Sequence, residues 1–136
     1  MRISEFRITR FQFRRDRTIG DSQVRADDAN LAALELIAED GRVGLGFVQT
    51  LFTPLPDEAE IARVFRDEVW PGIAGERPIG LVHRVNRPRG GNQRAFSLPF
   101  HEALQVALWD LAAKDVGLPL HKLLGSRRDR VRAYAS

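Results

Sequence analysis

Residues able to do chemistry are unevenly supplied in this 136-residue chain. Nineteen arginines stand against two lysines, Lys114 and Lys122, and three histidines, His83, His101 and His121, and there is no cysteine. Arginine stays protonated at any working pH, so it binds carboxylate or phosphate and makes a poor general base. The lack of cysteine excludes disulfides, thiolate metal sites and a cysteine nucleophile. The histidines fall on separate expected elements with no His-Glu-x-x-His or similar spacing, so no histidine metal site is expected. His101 with Gln105 one turn later could face a site, but a surface histidine near a helix start is the expected reading. No Gly-x-Ser-x-Gly elbow and no phosphate loop occurs, and Arg89-Gly90-Gly91-Asn92 reads as a flexible turn.

The carboxylates offer no acid and base pair either. Asp27 and Asp28 are adjacent, so on a strand they point to opposite faces and on a loop they are solvated. Asp57, Glu58 and Glu60 favour a helix N-terminus electrostatically, which accounts for them without catalysis. Asp110 lies on the most apolar stretch of the chain and is expected to pair with Lys114, four residues on, or with an arginine.

The elements that must position these groups divide into strands, then helices. In Arg2 to Phe13 the apolar residues Ile3, Phe6, Ile8, Phe11 and Phe13 recur with period two and two slips of phase, which predicts a long bulged strand. Arg14 to Asn30 is polar around Gly20, Asp21 and Ser22 and predicts a long mobile loop. Leu31 to Ala38 is mostly apolar, and Val43, Leu45 and Phe47 alternate with Gly44, Gly46 and Val48. Between them Asp40-Gly41 supplies a tight hairpin turn. The result is a three-stranded antiparallel meander, with glycines on one face where something packs close to the backbone.

From Asp57 the pattern turns helical. Asp57 with Glu60 resembles a capping box, and Ile61, Val64, Phe65 and Val69 follow helical spacing until Pro71-Gly72. Pro78 to Val85 predicts a shorter helix, and Arg87 to Arg94 a loop. Starting at Ser97, the residues Phe100, Ala103, Leu104, Ala107, Leu108, Leu111 and Ala112 form one helical stripe, widened by Val106, Trp109 and Ala113. Such a helix is buried against more than one neighbour, and the small sheet looks insufficient to cover it, so an exposed apolar patch and self-association are expected. Gly117 and Pro119 end it. A turn over Leu120 to Leu124 and a strand-like run from Val131 to Ala135 complete the chain.

Length, at roughly 100 to 200 residues per domain, leaves room for about one domain. Hydrophobic residues at 43% and charged residues at 29% match a globular protein rather than a disordered one. No apolar run approaches the roughly 18 residues of a bilayer span, and Met1 to Glu5 is unlike a signal sequence, so a cytoplasmic protein with no membrane partner is expected. Net charge is only +3, and the arginine clusters lack regularly interleaved aromatics, so no nucleic-acid partner is expected.

One long segment changes this reading. Ala103-Leu104-Gln105-Val106-Ala107-Leu108-Trp109-Asp110-Leu111-Ala112-Ala113-Lys114, followed by Gly117-Leu118-Pro119-Leu120 and Leu123-Leu124-Gly125, resembles the enolase superfamily, in its mandelate racemase and muconate lactonizing enzyme branch. Arg130 to Ser136 resembles the first strand of that family's barrel, and the opening strand, polar loop, Asp40-Gly41 hairpin and Gly44-Leu45-Gly46 strand fit its N-terminal capping domain in order. The resemblance implies an α+β fold, a three-stranded antiparallel meander followed by a helical bundle. Residues 1–125 would be the capping domain and 126–136 the start of a TIM-type barrel whose remainder is absent.

The family abstracts a proton α to a carboxylate, and a magnesium ion held by three acidic barrel residues stabilises the enediolate. Racemases, cycloisomerases and acid-sugar dehydratases all work this way. This sequence matches none of the three metal ligands and has no lysine-any-lysine base, so the resemblance implies no catalytic residue and no metal ligand here, and a homo-oligomer in the complete protein. The family's two specificity loops fall on Arg14 to Asp28 and Gln49 to Pro54. They make Arg17, Asp21, Gln23, Gln49 and Phe52 the expected contacts to a carboxylate or sugar-acid substrate. A free-standing interaction module that kept the lid fold is the alternative.

Overall fold

The structure is a computed structural model that describes residues 1–23, 25–50, 54–84 and 100–134, with the side chain of Phe100 excluded. Strands β1 (Ile3–Gly20), β2 (Arg25–Ala38) and β3 (Val43–Thr50) form an antiparallel sheet in the order β1-β2-β3. Helix α1 (Glu58–Val64) runs on through a π turn, Phe65–Val69, and a 3-10 turn, Trp70–Gly72. Then come α2 (Pro78–Leu81), α3 (Phe100–Asp115) and α4 (Leu120–Leu123). The α+β meander followed by helices is thus the fold the chain adopts.

Residues of one parity build the core face of the sheet. Phe6 and Ile8 of β1 stand opposite Leu36 and Leu34 of β2, which stand opposite Gly44 and Gly46 of β3. With Ala32 and Val48 they pack on Ile61, Phe65, Leu104, Leu108 and Leu111 in one continuous cluster. Phe6 meets the ring of Phe65 at 4.7 Å and that of Trp70 at 5.0 Å, separations typical of favourable aromatic pairs.

The β3 glycines are there for α3. A Cβ built on Gly46 would overlap the carbonyl oxygen of Ala103, and one built on Gly44 would overlap that of Ala107 and come within 2.7 Å of the Leu111 Cβ. The helix therefore lies directly on strand backbone, as the glycine spacing predicts. Because Gly44 meets Ala107 while Gly46 meets Ala103, α3 runs antiparallel to β3 and its N-terminus sits at the Thr50 end of the sheet.

Polar side chains fix the same junction from outside. The Leu45 N–H donates to Asp110 Oδ2 at 2.9 Å, and Lys114 Nζ donates to the Val43 carbonyl at 2.7 Å and to Asp110 Oδ2 at 2.8 Å. Arg42 Nη1 returns a bond to the Lys114 carbonyl at 2.7 Å. The Asp110–Lys114 pair is as expected; the bond to strand backbone adds a role that helical spacing does not reveal.

Local signals end the elements where the sequence places them. Gly41 takes φ 81° in the hairpin turn, where Asp40 Oδ1 accepts from the Arg42 N–H at 3.1 Å. Asp57 Oδ1 accepts from the Glu60 N–H at 2.8 Å at the start of α1, one half of a capping box, while the Glu60 carboxylate turns to Arg63 at 2.7 Å. Gly117, at φ 67°, closes α3 as the Leu118 N–H reaches back to the Ala113 carbonyl at 3.0 Å, the left-handed stop that glycine permits.

Five expectations are corrected. The mobile loop over 14–30 is instead a long hairpin: Arg14 pairs with Asp28, Ile19 with Ala26 and Gly20 with Arg25. Ladder hydrogen bonds need no apolar side chains, so polarity did not prevent pairing. The first phase slip, between Ile3 and Phe6, is an irregularity at Ile3 and Glu5, but the second is none: Ile8 to Phe11 is in continuous register, and Phe11 and Phe13 lie on the outer face, about half exposed. His101 is buried rather than on the surface. The core side of the α3 stripe is covered within the chain, because β3, α2, β2 and α4 all pack on it, while Val106, which widens it, stays half exposed; large apolar side chains are also exposed on the outer sheet face at Phe11, Phe13 and Phe47 and around the helices at Ile79, Val116, Leu118 and Leu124. Val131 to Tyr134 form no strand and are exposed, and among the described residues no strand lies beside them to pair with.

Pro78–Leu81 is shorter than the helix expected to Val85. The loop at Arg87 to Arg94 and the helix start at Ser97 fall outside the described residues. Among the described residues no helix is long and apolar enough to cross a membrane.

Candidate functional site

The apolar core face changes character towards the far end of the sheet. Continuing the core parity past Ile8, β1 places Arg10 and Gln12; past Leu34 and Ala32, β2 places Asn30; past Val48, β3 places Thr50. Gln12, Asn30 and Thr50 lie directly across from one another in the register. A depression of about 330 Å³ opens there, lined by Gln12, Arg25, Ala26, Asp27, Asp28, Asn30 and Pro54.

Asn30 is the residue that ties this depression to the interior. It is only 7% exposed, and its Oδ1 has no hydrogen-bond partner among the described residues. A buried amide oxygen left unpaired costs roughly 1 to 3 kcal/mol, so the unpartnered Asn30 oxygen calls for explanation. Beside it, Gln12 Oε1 accepts from Arg10 Nη2 at 3.3 Å, and Arg10 Nη2 also reaches the Leu55 carbonyl at 3.4 Å. The Arg10 backbone N–H, on the outer edge of β1, donates to Glu58 Oε2 at 2.8 Å, which ties the strand to the start of α1. On the far wall Thr18 donates to Asp27 Oδ1, and Arg15 Nε donates to the Asp28 carbonyl at 3.3 Å. His101 and Gln105, in the first turns of α3, lie at the same end of the core, and Gln105 Nε2 is buried without a partner.

The expected contacts are spread around this end rather than gathered in it. Arg17 is exposed on β1, in the stretch where the register shifts between Arg14 and Ile19. Asp21 and Gln23 form the hairpin tip, where Asp21 Oδ1 accepts from the Gln23 N–H at 2.7 Å and fixes a tight turn. Gln49 stands opposite Leu31 on the outer face, exposed and on the other side of the sheet from Asn30. Phe52 lies outside the described residues. None of the four described ones lines the depression.

Sequence reasoning passed over Gln12 and Asn30 because they fall in or beside a stretch read as loop. The available signal was parity: Ile8, Arg10, Gln12 and Leu34, Ala32, Asn30 share the alternation of the core.

Among the described residues no three His, Asp or Glu side chains come together in a group that could hold an ion. The donors around the depression are carboxamides, arginines and two adjacent acids, a set that suits hydrogen bonding to hydroxyl and carboxylate groups.

Residues 10–125 match the family "Mandelate racemase / muconate lactonizing enzyme, N-terminal domain", and the chain belongs to it. A mandelate racemase-type protein from Mesorhizobium loti of known crystal structure is 71% identical, superposes with a TM-score of 0.87, and is covered over 34% of its length by 98% of this chain. The L-talarate dehydratase of Polaromonas sp. JS666, solved with Mg and L-glucarate, is 27% identical with a TM-score of 0.69, over 96% of this chain and 37% of that one.

Among curated relatives, the D-gluconate dehydratase of Thermoproteus tenax is 54% identical over 105 residues, 76% of this chain and 21% of its own. The D-galactarolactone cycloisomerase of Agrobacterium fabrum is 28% identical over all of this chain and 35% of its own. This chain therefore spans between 16% and 35% of the curated relatives it matches.

Proposed function

We propose that this chain is the capping, substrate-specificity part of an enzyme that removes the proton α to the carboxylate of a sugar acid, with a magnesium-stabilised enediolate. Residues 1–125 form the cap and 126–136 lead into the barrel that would carry the metal ligands and the base. Among the described residues no group of acidic or histidine side chains could hold the ion, and turnover is proposed to belong to a polypeptide that also carries the barrel. The family match over residues 10–125 carries this reading; the dehydratase and cycloisomerase relatives support the sugar-acid class.

The chemistry requires such a division. An α proton is weakly acidic, and its removal is fast only where preorganised cations meet the developing charge in a site closed to water. A cap that presents polar groups on its free end can close over that site and select substrate without taking part in bond breaking. Arg17, Asp21, Gln23 and Gln49, with Phe52, remain the proposed substrate contacts. Assembly as a homo-oligomer is part of the proposal, supported by the apolar outer face at Phe11, Phe13 and Phe47.

The test is proton exchange. The full natural polypeptide carrying these residues, with magnesium in D2O, should exchange the α proton of D-gluconate or a related sugar acid and release a 2-keto-3-deoxy acid or an isomer, while the 136-residue chain alone should do neither. Turnover by the 136-residue chain alone, or no exchange by the full polypeptide with any sugar acid, would overturn the reading.

A further inference from the structure

Gly44 and Gly46 let α3 come close to β3, but they leave the helix little to lodge against. The core-parity positions of β3 are Gly44, Gly46, Val48 and Thr50. Only its far half therefore offers side chains that could seat between helical turns and resist sliding. The strand is also an edge of the sheet, paired with β2 on one side alone. We propose that Asp110, together with Lys114, is a positioning residue that sets how far along β3 the helix sits, and through that where the strand presents Gln49 and the segment to Pro54 to a substrate. The second half of this inference rests on the reading above that those residues meet a sugar acid.

Three observations carry it. Asp110 Oδ2 is shared: it accepts from the Leu45 N–H at 2.9 Å and from Lys114 Nζ at 2.8 Å, and the same Nζ donates to the Val43 carbonyl at 2.7 Å. Two edge groups of β3, two residues apart, are thereby bound to two residues one turn apart on α3. A single bond would leave the helix free to pivot, whereas two fix its place along the strand. Next, Arg42 Nη1 donates to the Lys114 carbonyl at 2.7 Å, which adds a third attachment at the same end of β3. Finally, the strand partners are backbone groups bound to charged side chains, stronger than neutral pairs, and backbone cannot swing to follow a sliding helix. An Asp110–Lys114 pair serving helix stability alone would be worth only a few tenths of a kcal/mol and would need no strand.

Because α3 runs antiparallel to β3, a slip of the helix would carry its His101 and Gln105 end past the Thr50 end of the strand. The attachment at the hairpin end thus governs geometry at the opposite end, where the proposed contacts begin.

Two measurements test this, each with Asp110→Ala and Asp110→Asn. The 136-residue chain has no cysteine, so nitroxides placed through Phe47→Cys and Glu102→Cys, both exposed, report the distance between β3 and the start of α3 by pulsed electron spin resonance. Asp110→Ala should shift or broaden that distance by up to one helical turn, about 5 Å. Asp110→Asn keeps an acceptor for the Leu45 N–H and should stay near the parent distance. In the full natural polypeptide, Asp110→Ala should raise the KM for D-gluconate about tenfold, the worth of about one displaced hydrogen bond. The kcat should hold within about twofold, and Asp110→Asn should recover most of the loss in KM. A merely stabilising Asp110 would lower the unfolding temperature and the active fraction while distance and KM stayed as they were, and that result overturns the proposal. A shifted distance with unaltered KM in an active enzyme overturns it as well. Should Asp110→Ala fail to fold, Lys114→Met, which removes the Val43 attachment, decides the matter by the same two readouts. A shifted distance beside a wild-type polypeptide inactive on every sugar acid sinks the sugar-acid reading and leaves the seating of the helix standing.

Discussion

The two ends of one sheet obey different rules. At the root, Phe6, Ile8, Leu34, Leu36 and the glycines of β3 are buried under α1 and α3, and each residue type follows from the space around it. At the far end the same three strands continue in the same register, yet their core-parity positions are Gln12, Asn30 and Thr50, and no described helix covers the tip. Backbone pairing is common to both ends; side-chain burial belongs to one. Stability is therefore concentrated at the root, and the far end is free to carry polar groups whose partners come from outside.

That contrast can be broken at the root with the largest effect. Leu108 is fully buried in α3, and Leu108→Ala should cost about 2 to 5 kcal/mol in denaturant unfolding; a loss well below that would mean the helix does not seat on the sheet as described. Gly46→Ala comes next. Its new Cβ would run into the Ala103 carbonyl, and because backbone must shift to admit it, about 1 to 3 kcal/mol should be lost. A neutral result would show that α3 rides further from β3.

The far end should respond far less. Phe13, 57% exposed on the outer face, tolerates Phe13→Ser within about 0.5 kcal/mol in the isolated chain; a larger drop would show that the outer face is already covered in solution.

The smallest effect concerns pH. The hydrogen bond from Arg63 holds the Glu60 carboxyl below its ordinary value of 4.5, helped by the Arg63 charge and opposed by desolvation and by Asp57. A depressed carboxylate binds fewer protons in the folded chain than in the unfolded one. Its contribution is complete above that ordinary value and is lost as pH falls through the lower folded value. Both groups are solvent-exposed, so screening leaves only a shallow slope. Glu60→Gln should flatten the acid side of the stability profile slightly, and an identical profile in the variant would remove the pair from consideration.

How far the fold could be read from sequence follows the same division. Wherever apolar residues must be buried, their spacing told where they go: the Ala103 to Ala112 stripe, the Gly44 and Gly46 contact and the Asp40-Gly41 turn all stand in the structure as expected. Where pairing proceeds without burial, spacing carried no information, and Arg14 to Asn30 was taken for a loop although its backbone is laddered almost to the tip. The same cause hid the candidate site. Asn30 keeps core parity, but that parity has meaning only once β2 is known to begin at Arg25. His101 escaped for a different reason: its burial depends on which way α3 lies over the sheet, a tertiary fact that no local pattern encodes.

The outer side of β3 has one further implication. A terminal strand whose amides and carbonyls point at water is a template on which strands of other molecules can add, the first step of ordered aggregation. Here Asp110 already occupies the Leu45 amide and Lys114 the Val43 carbonyl, so an incoming chain would have to evict two charged side chains to pair with that end of the strand. The helix that completes the core thus also guards the hairpin end of this edge.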